Sequence, residues 1–365
     1  MSMYDFAIIG AGIAGASLAA ELSAYGARTL LLEAEDFPGY HATGRSAAFW
    51  EECYGGPDIV PLTLASGDYL REGGFLTNRG ALYIGRESDV TALDAFERRF
   101  ADTGVSIERL GREGLARHVP GVRESWTSAI WEPACADIDV ARLHQHYLTL
   151  AQRAGTEIVC RAQVAGIARR DHHWLLESDS GERWSAQAIV NAAGAWADKV
   201  ALLAGARPIG IQPLRRTVVQ LRVSPEAPAD MPLVLDIEGQ FYFKPESGRI
   251  WLSPHDEIPS EPCDAAPEEL DVAQAIARFE RVVDWHVEAA ERKWAGLRSF
   301  APDRRPVYGW DPLVEGFAWF AGQGGFGIQT SPAAARLAAQ RLTDSAPDAM
   351  TEGIDAALYD PDRFT

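Results

Sequence analysis

Gly10-Ala11-Gly12-Ile13-Ala14-Gly15 follows an apolar run and opens a segment of helical spacing. Each glycine has a physical task. Gly10 makes the tight turn, Gly12 lets the backbone approach a pyrophosphate, and Gly15 lets a helix pack on a strand. The helix start offers free N–H groups and the positive end of its dipole to an anion. Glu33, followed by Ala34, ends the next apolar run, 18 residues after Gly15. A carboxylate there accepts hydrogen bonds from ribose hydroxyls and repels a 2′-phosphate. That disfavours NADP and leaves NAD and FAD open. A strand before the turn and a helix after it make dinucleotide binding the reading of this motif.

Three later segments bear on the choice of dinucleotide. They are Gly39-Tyr40-His41-Ala42-Thr43-Gly44-Arg45-Ser46-Ala47-Ala48, Val190-Asn191-Ala192-Ala193-Gly194-Ala195-Trp196, and Gly322-Gln323-Gly324-Gly325-Phe326-Gly327-Ile328-Gln329-Thr330. Four glycines in the last of these permit close approach to a flat ligand. The helix behind it, with Pro332 in its first turn, could stabilise negative charge on a flavin pyrimidine ring as it is reduced. Arg298 can pair with a carboxylate through two parallel hydrogen bonds. Tyr242 alternates with Phe241 and Phe243, so in a strand its hydroxyl faces away from both rings. Gln329 is a polar candidate for contact with substrate or ring edge. His41 is either a flavin neighbour or a structural cap. His144 and His146 stand two apart on a helix and cannot share a face, so no metal site is expected there.

These residues need a scaffold. Residues 4–9 read as a buried strand and 14–25 as a helix, with Leu18, Leu22 and Tyr25 at helical spacing and Gly26 as its stop. Thr29 to Leu32 reads as a second strand, so the three form a βαβ unit with parallel strands. A helix is expected over 141–154, with Leu143, Tyr147, Leu150, Ala151 and Ala154 inward. A hairpin turning at Asp179-Ser180-Gly181 leads into a strand at 186–193. Thr217 to Val223, Leu233 to Asp236, Gln240 to Lys244 and Arg249 to Ser253 read as an antiparallel sheet. A helix at 267–284 is expected to turn Ala273, Ile276, Phe279, Val282 and Val283 inward, and a last helix lies near 332–344. No repeat or low-complexity linker separates two blocks.

The 365 residues suit about two domains. The apolar fraction of 47% and charged fraction of 24% exclude disordered, collagen-like and disulfide-scaffold chains. Lys plus Arg is 34 against 52 for Asp plus Glu, and the net charge of −18 argues against nucleic acid as a partner. Cys53, Cys135, Cys160 and Cys263 form no CxxC pair, so neither zinc nor a dithiol is suggested. The N-terminus has no basic region of a secretory signal. The apolar stretch 6–20 falls short of the ~20 residues of a membrane span. A cytoplasmic location is expected, and no basic amphipathic anchor supports peripheral membrane contact.

Gly39 to Ala48, Asn191 to Trp196, Trp294-Ala295-Gly296-Leu297-Arg298-Ser299-Phe300 and Gln323 to Thr330 together resemble the FAD-dependent D-amino-acid oxidase and dehydrogenase superfamily, which includes glycine and sarcosine oxidases. The resemblance covers nearly the whole chain in order and is nearest to bacterial D-arginine dehydrogenase-like D-amino-acid dehydrogenases. It implies an α/β fold in which a Rossmann-like FAD domain (1–75, 142–215 and 293–365) interleaves with a substrate domain of mixed or antiparallel sheet (76–141 and 216–292). It implies FAD contacts at the first glycine turn, Glu33 and Ala34. Further contacts are implied at His41, Thr43 to Ala48, Val164, Ala192 to Gly194, Trp196 and Gly296. Arg298 and the loop Gly324, Gly325, Phe326, Gly327, Ile328, Gln329 and Thr330 complete that set. Covalent members attach FAD through a cysteine near the C-terminal third. None occurs after Cys263, so the FAD is expected to be non-covalent.

The resemblance also gives Arg298 the substrate carboxylate, with Tyr242, Tyr54 and Arg216 around it. It implies hydride transfer from substrate Cα to flavin N5, then hydrolysis of the imino acid to a 2-oxo acid and ammonia. O2 or a quinone would accept the electrons. No dedicated base is evident. The segment Arg79-Gly80-Ala81-Leu82-Tyr83 places Ala81 where D-arginine dehydrogenases carry a carboxylate for the guanidinium. Phe49 and Trp50 add bulky apolar walls. A neutral, apolar or aromatic side chain is therefore expected on the substrate, unless Glu51 or Glu52 points inward. The rivals are a secondary-amine or glycine oxidase, an NAD-dependent dehydrogenase, and a non-catalytic dinucleotide-binding module.

Overall fold

A computed structural model describes residues 3–47 and 49–365; of the expected site residues, Ala48 lies outside the described residues. Met3–Ile9 and Thr29–Leu32 are strands paired in parallel, Phe6 against Thr29 and Ile9 against Leu32. The helix Ile13–Ala24 links them and completes the expected βαβ unit. Tyr25 caps that helix at 38% exposure instead of packing inward. Arg183–Asn191 pairs in parallel with the first strand, Ile9 opposite Asn191. Glu157–Val159 and Phe317–Ala321 extend the sheet in parallel on either side. Among the described residues eight strands form this sheet. Its central residues Ala7, Ile8, Leu30, Leu31, Ile189 and Val190 are fully buried, as strands covered on both faces must be. Ile9, Leu32 and Asn191 end at one rim, where the chain runs out into Gly10, Glu33 and Ala192.

Helices Ile13–Ala24, Val140–Arg153 and Ser331–Leu342 contribute to one apolar core. In Val140–Arg153 the buried side is Leu143, His144, Tyr147, Leu148 and Ala151. Leu150 and Ala154, expected inward, are exposed. The buried stripe is turned toward His144 because its Nε2 donates to the Ala11 carbonyl (2.9 Å), behind the glycine turn.

A second, ten-stranded sheet is mixed. Leu233–Asp236, Tyr242–Glu246 and Arg249–Ser253 are consecutive antiparallel strands as expected, and Leu233–Asp236 also pairs in parallel with Ala81–Arg86. Gln212–Ser224 pairs with a strand that sequence reasoning missed, His286–Phe300, from Gln212 opposite Phe300 to Ser224 opposite His286. The expected boundaries at 215/216 and 292/293 fall inside these two strands. The helix expected over 267–284 spans only Glu269–Phe279, and buries Val272, Ala275 and Phe279 while Ala273 is exposed. Val282 and Val283 are buried beyond its end, where Val283 bridges to Val122.

Candidate active site

A cavity of about 650 Å³ opens at the carboxyl rim of the parallel strands and reaches the mixed sheet. Open α/β sheets bind ligands at such a rim. Gly10, Gly12, Ile13 and Ala14 border it. Gly10 has φ +103°, and a Cβ there would collide with the Ala192 carbonyl. Gly15 lies one layer behind, against the Gly10 carbonyl, where a Cβ would also collide. Gly12 is the N-cap and brings no capping side chain, while the Ile13 N–H donates to Thr43 Oγ1 (2.9 Å). Ala11 does not border the cavity: its N–H donates to Glu33 Oε2 (3.0 Å). Glu33 also accepts the Glu35 N–H (3.0 Å), and burial raises its pKa. A carboxylate has about four acceptor sites, so ribose hydroxyls still find lone pairs.

Ala34, His41, Thr43, Arg45, Ser46 and Ala47 continue the wall. Gly44 turns behind them, its N–H donating to the Gly39 carbonyl (2.8 Å). His41 pairs with Glu35 (2.8 Å) and packs on Trp196 at 4.6 Å between ring centres. Val164, Ala192, Ala193, Gly194 and Trp196 also line the cavity. Asn191 holds their turn, donating to the Ala197 carbonyl (2.7 Å) and accepting the Ala193 N–H (3.3 Å). Gly296, Gly324, Gly325, Gly327 and Ile328 line the remaining side. Phe326 and Thr330 stand behind the loop. Phe326 packs on Tyr54 and Phe300, and the Thr330 hydroxyl donates to the Phe326 carbonyl (2.9 Å). A glycine cradle, a helix start whose N-cap is a glycine and a carboxylate at the next strand end fit FAD.

Arg298 and Arg216 project from the same face of the paired long strands. Arg298 lies opposite Leu214, two residues from Arg216, and side chains two apart share a face. Arg215 faces the other way and binds Glu268 and Asp271. Arg298 is 14% exposed, lies against the rings of Tyr54 (5.6 Å) and Phe300 (5.7 Å), and borders the cavity. Its Nη1 has no hydrogen-bond partner. Glu257 Oε1 is 3.6 Å away, too far for a hydrogen bond, and both Glu257 oxygens accept from Arg304 Nη2 at 2.9 Å. A Cβ at Gly325 would collide with the Tyr54 hydroxyl and the Arg298 guanidinium, so that glycine makes room for both. Burial, helped by Arg304, lowers the Arg298 pKa to about 9. Arg216 borders the same cavity, but its Nε already donates to the Asp256 carbonyl (2.8 Å).

Tyr242 borders the cavity and meets Phe49 edge-on at 5.9 Å and His255 at 5.7 Å. His255, Val218 and Leu235 are cavity residues that sequence reasoning missed. They come from separate segments whose convergence no local pattern announces. Two expectations need correction. Trp50 does not wall the cavity: consecutive strand residues point to opposite faces, so Phe49 enters while Trp50 is buried, its Nε1 donating to the Thr63 carbonyl (3.1 Å). Ala81 is fully buried in the mixed sheet between Leu233 and Glu132 and does not reach the cavity. Gln329 borders the cavity, but its amide is committed. It donates to the Glu51 carbonyl (3.1 Å) and Thr63 Oγ1 (2.9 Å) and accepts the Glu51 N–H (3.3 Å).

Glu51 itself borders the cavity and is 2% exposed, so the inward carboxyl that the sequence left conditional is present. Its Oε1 is without a hydrogen-bond partner. Among the described residues there is no cluster of metal ligands, and no helix is long and apolar enough to cross a membrane.

Known proteins agree with this architecture. The hydrogen cyanide synthase subunit HcnC of Pseudomonas aeruginosa is 23% identical over 90% of this chain and 89% of its own. L-proline dehydrogenase from P. horikoshii superposes with a TM-score of 0.86 at 21% identity, covering 100% of this chain and 98% of the other. Glycine oxidase from Geobacillus kaustophilus gives 0.85 at 21% identity, covering 99% and 98%. The sequence profile of the FAD dependent oxidoreductase family matches residues 5–341, and the chain belongs to that family.

Proposed function

We propose that this FAD-dependent oxidoreductase dehydrogenates a small amino acid, a D-amino acid with a neutral, apolar or aromatic side chain. The imino acid formed would hydrolyse to a 2-oxo acid and ammonia. The observation that carries the reading is the unpartnered Arg298 Nη1 beside Tyr54 on the cavity wall. A buried guanidinium nitrogen without a hydrogen bond is costly, and a substrate carboxylate satisfies it with charge-assisted hydrogen bonds that Glu257, at 3.6 Å, does not make. Clamped there, the substrate presents Cα in one orientation. FAD, when bound, supplies the two-electron acceptor. Phe49, Val218, Leu235 and Tyr242 support a neutral side chain, now without Trp50 or Ala81. Glu51 also borders the cavity, but burial and then Glu132 hold its carboxyl well above the usual range, which favours its uncharged form and offers a guanidinium no standing counter-charge. The D configuration rests on the sequence resemblance. A second reading is a glycine or secondary-amine oxidase, favoured by the likeness to glycine oxidase and L-proline dehydrogenase.

Anaerobic mixing of the FAD-loaded protein with D-, L- and N-methyl amino acids tests both readings. Bleaching of the flavin by D-phenylalanine and D-leucine ahead of D-arginine is expected. Preferential bleaching by D-arginine overturns the neutral side chain, and preference for sarcosine or proline selects the second reading. Admission of air then separates O2 from another acceptor.

A further inference from the structure

We propose that Glu51 is the base that takes the proton of the substrate ammonium. This rests on the amino-acid reading above and adds its missing proton acceptor. The carboxylate and nitrogen of an α-amino acid share one carbon, so the acceptor must lie beside the carboxylate clamp. Glu51 is fastened to that clamp on two sides. Its carbonyl accepts the Tyr54 N–H (3.3 Å), within the turn that carries Tyr54 to Arg298. Gln329, which grips the Glu51 main chain, belongs to the loop whose Gly325 underlies the guanidinium. Glu51 is buried, borders the cavity and has one carboxyl oxygen without a partner.

The titratable groups around it are Glu132 from the strand Trp126–Glu132, Cys135 from the turn that follows, and Glu52 and Cys53 on its own segment. Glu132 is committed elsewhere, accepting the Glu52 N–H (2.7 Å) and Cys53 N–H (3.3 Å). Burial first, and Glu132 second, hold the Glu51 carboxyl well above the usual range. Beside a carboxyl only 2% exposed, a neutral amine with a neutral carboxyl is favoured over two desolvated charges.

The step balances as follows. A nitrogen–hydrogen bond of the ammonium breaks, its proton bonds to the Glu51 carboxylate, and the electron pair stays on nitrogen. The Cα–H bond would then break, its hydrogen leaving with both electrons as a hydride to FAD, and the nitrogen pair closes the C=N bond of a protonated imine.

Two measurements on the FAD-loaded protein test this across pH: the efficiency of anaerobic flavin reduction by the best substrate, and the affinity of 2-aminoisobutyrate, read from the flavin spectrum. That ligand has no Cα–H and cannot be oxidised. In the wild type both should fall roughly tenfold per pH unit below a break set by Glu51. In Glu51→Gln the break should move up by more than about one unit, to that of the amine, with recovery at high pH; Glu51→Asp should keep the lower break. If Glu51→Gln does not load FAD, the wild type alone decides. Its affinity for 2-methylpropanoate, which lacks the amine, should weaken as pH rises through the break at which 2-aminoisobutyrate tightens. An unmoved break in Glu51→Gln overturns the proposal, as does a change only in preference between D-leucine and D-arginine. Parallel pH responses of the two ligands in the wild type overturn it equally. Failure of the amino-acid reading looks different: no amino acid reduces the flavin and 2-aminoisobutyrate leaves the spectrum unchanged, so both proposals fall.

Discussion

Arg298 remains a cation at neutral pH even with its pKa lowered to about 9. Arg298→Leu is expected to cost about 3 kcal/mol of transition-state binding, roughly a hundredfold in kcat/KM, because truncation removes a buried charge pair with the substrate. Arg298→Lys should lose less, since it keeps the charge but not the planar fork. Steady-state kinetics on the best amino acid check both; unchanged constants would remove the clamp from the site. Arg298 and Tyr242 were legible from residue type and strand alternation, Tyr54 and Arg216 from the family resemblance, and all four border the cavity. Their neighbours were less so. Trp50 follows Phe49, and only the alternation of a strand decides which ring enters. Gln329 reads as a ligand contact, yet it spends its amide on Glu51 and Thr63. That kind of commitment depends on partners nearly three hundred residues away.

At the scale of elements, the glycine turn separates packing from cofactor contact. Gly15→Ala drives a methyl into the Gly10 carbonyl and should cost about 1–3 kcal/mol in urea unfolding, with loss of bound FAD. At Gly12 the added Cβ would stand 3.2 Å from Thr43 Oγ1, a contact that a side chain can relieve. Gly12→Ala should keep the fold and weaken FAD binding, read as flavin absorbance per protein. His255 gives a pH signature. Burial, then Arg216, push its pKa down to about 3, whereas an unfolded histidine titrates near ~6.5. As pH falls from about 6.5 toward 3, the unfolded chain binds a proton that the folded protein refuses, so stability is lost across that window. In His255→Gln, urea midpoints should fall less between pH 6.5 and 4.5, by at most about 1.4 kcal/mol per unit. The βαβ unit was readable because its strands are continuously apolar. His286–Phe300 was not: Val287 to Lys293 is rich in Glu and Ala and largely exposed, and pairing with Gln212–Ser224 imposes the strand.

For the whole molecule, the cavity draws its walls from both sheets, so the cofactor ties them together. FAD should raise the thermal midpoint, by linkage worth about 4 kcal/mol at a thousandfold excess over Kd. FMN, which lacks the adenylate half that the first glycine turn would hold, should raise it much less. Acid precipitation of the protein should leave FAD in the supernatant, as a non-covalent cofactor requires. The order of strands has one more consequence. Arg183–Asn191 sits between Met3–Ile9 and Phe317–Ala321, and the glycine loop at 322–330 follows the last of these. A nascent chain therefore carries an open pocket through most of its synthesis. Flavin capture becomes a late event, closing a loop more than three hundred residues long only after Thr330 has cleared the ribosome.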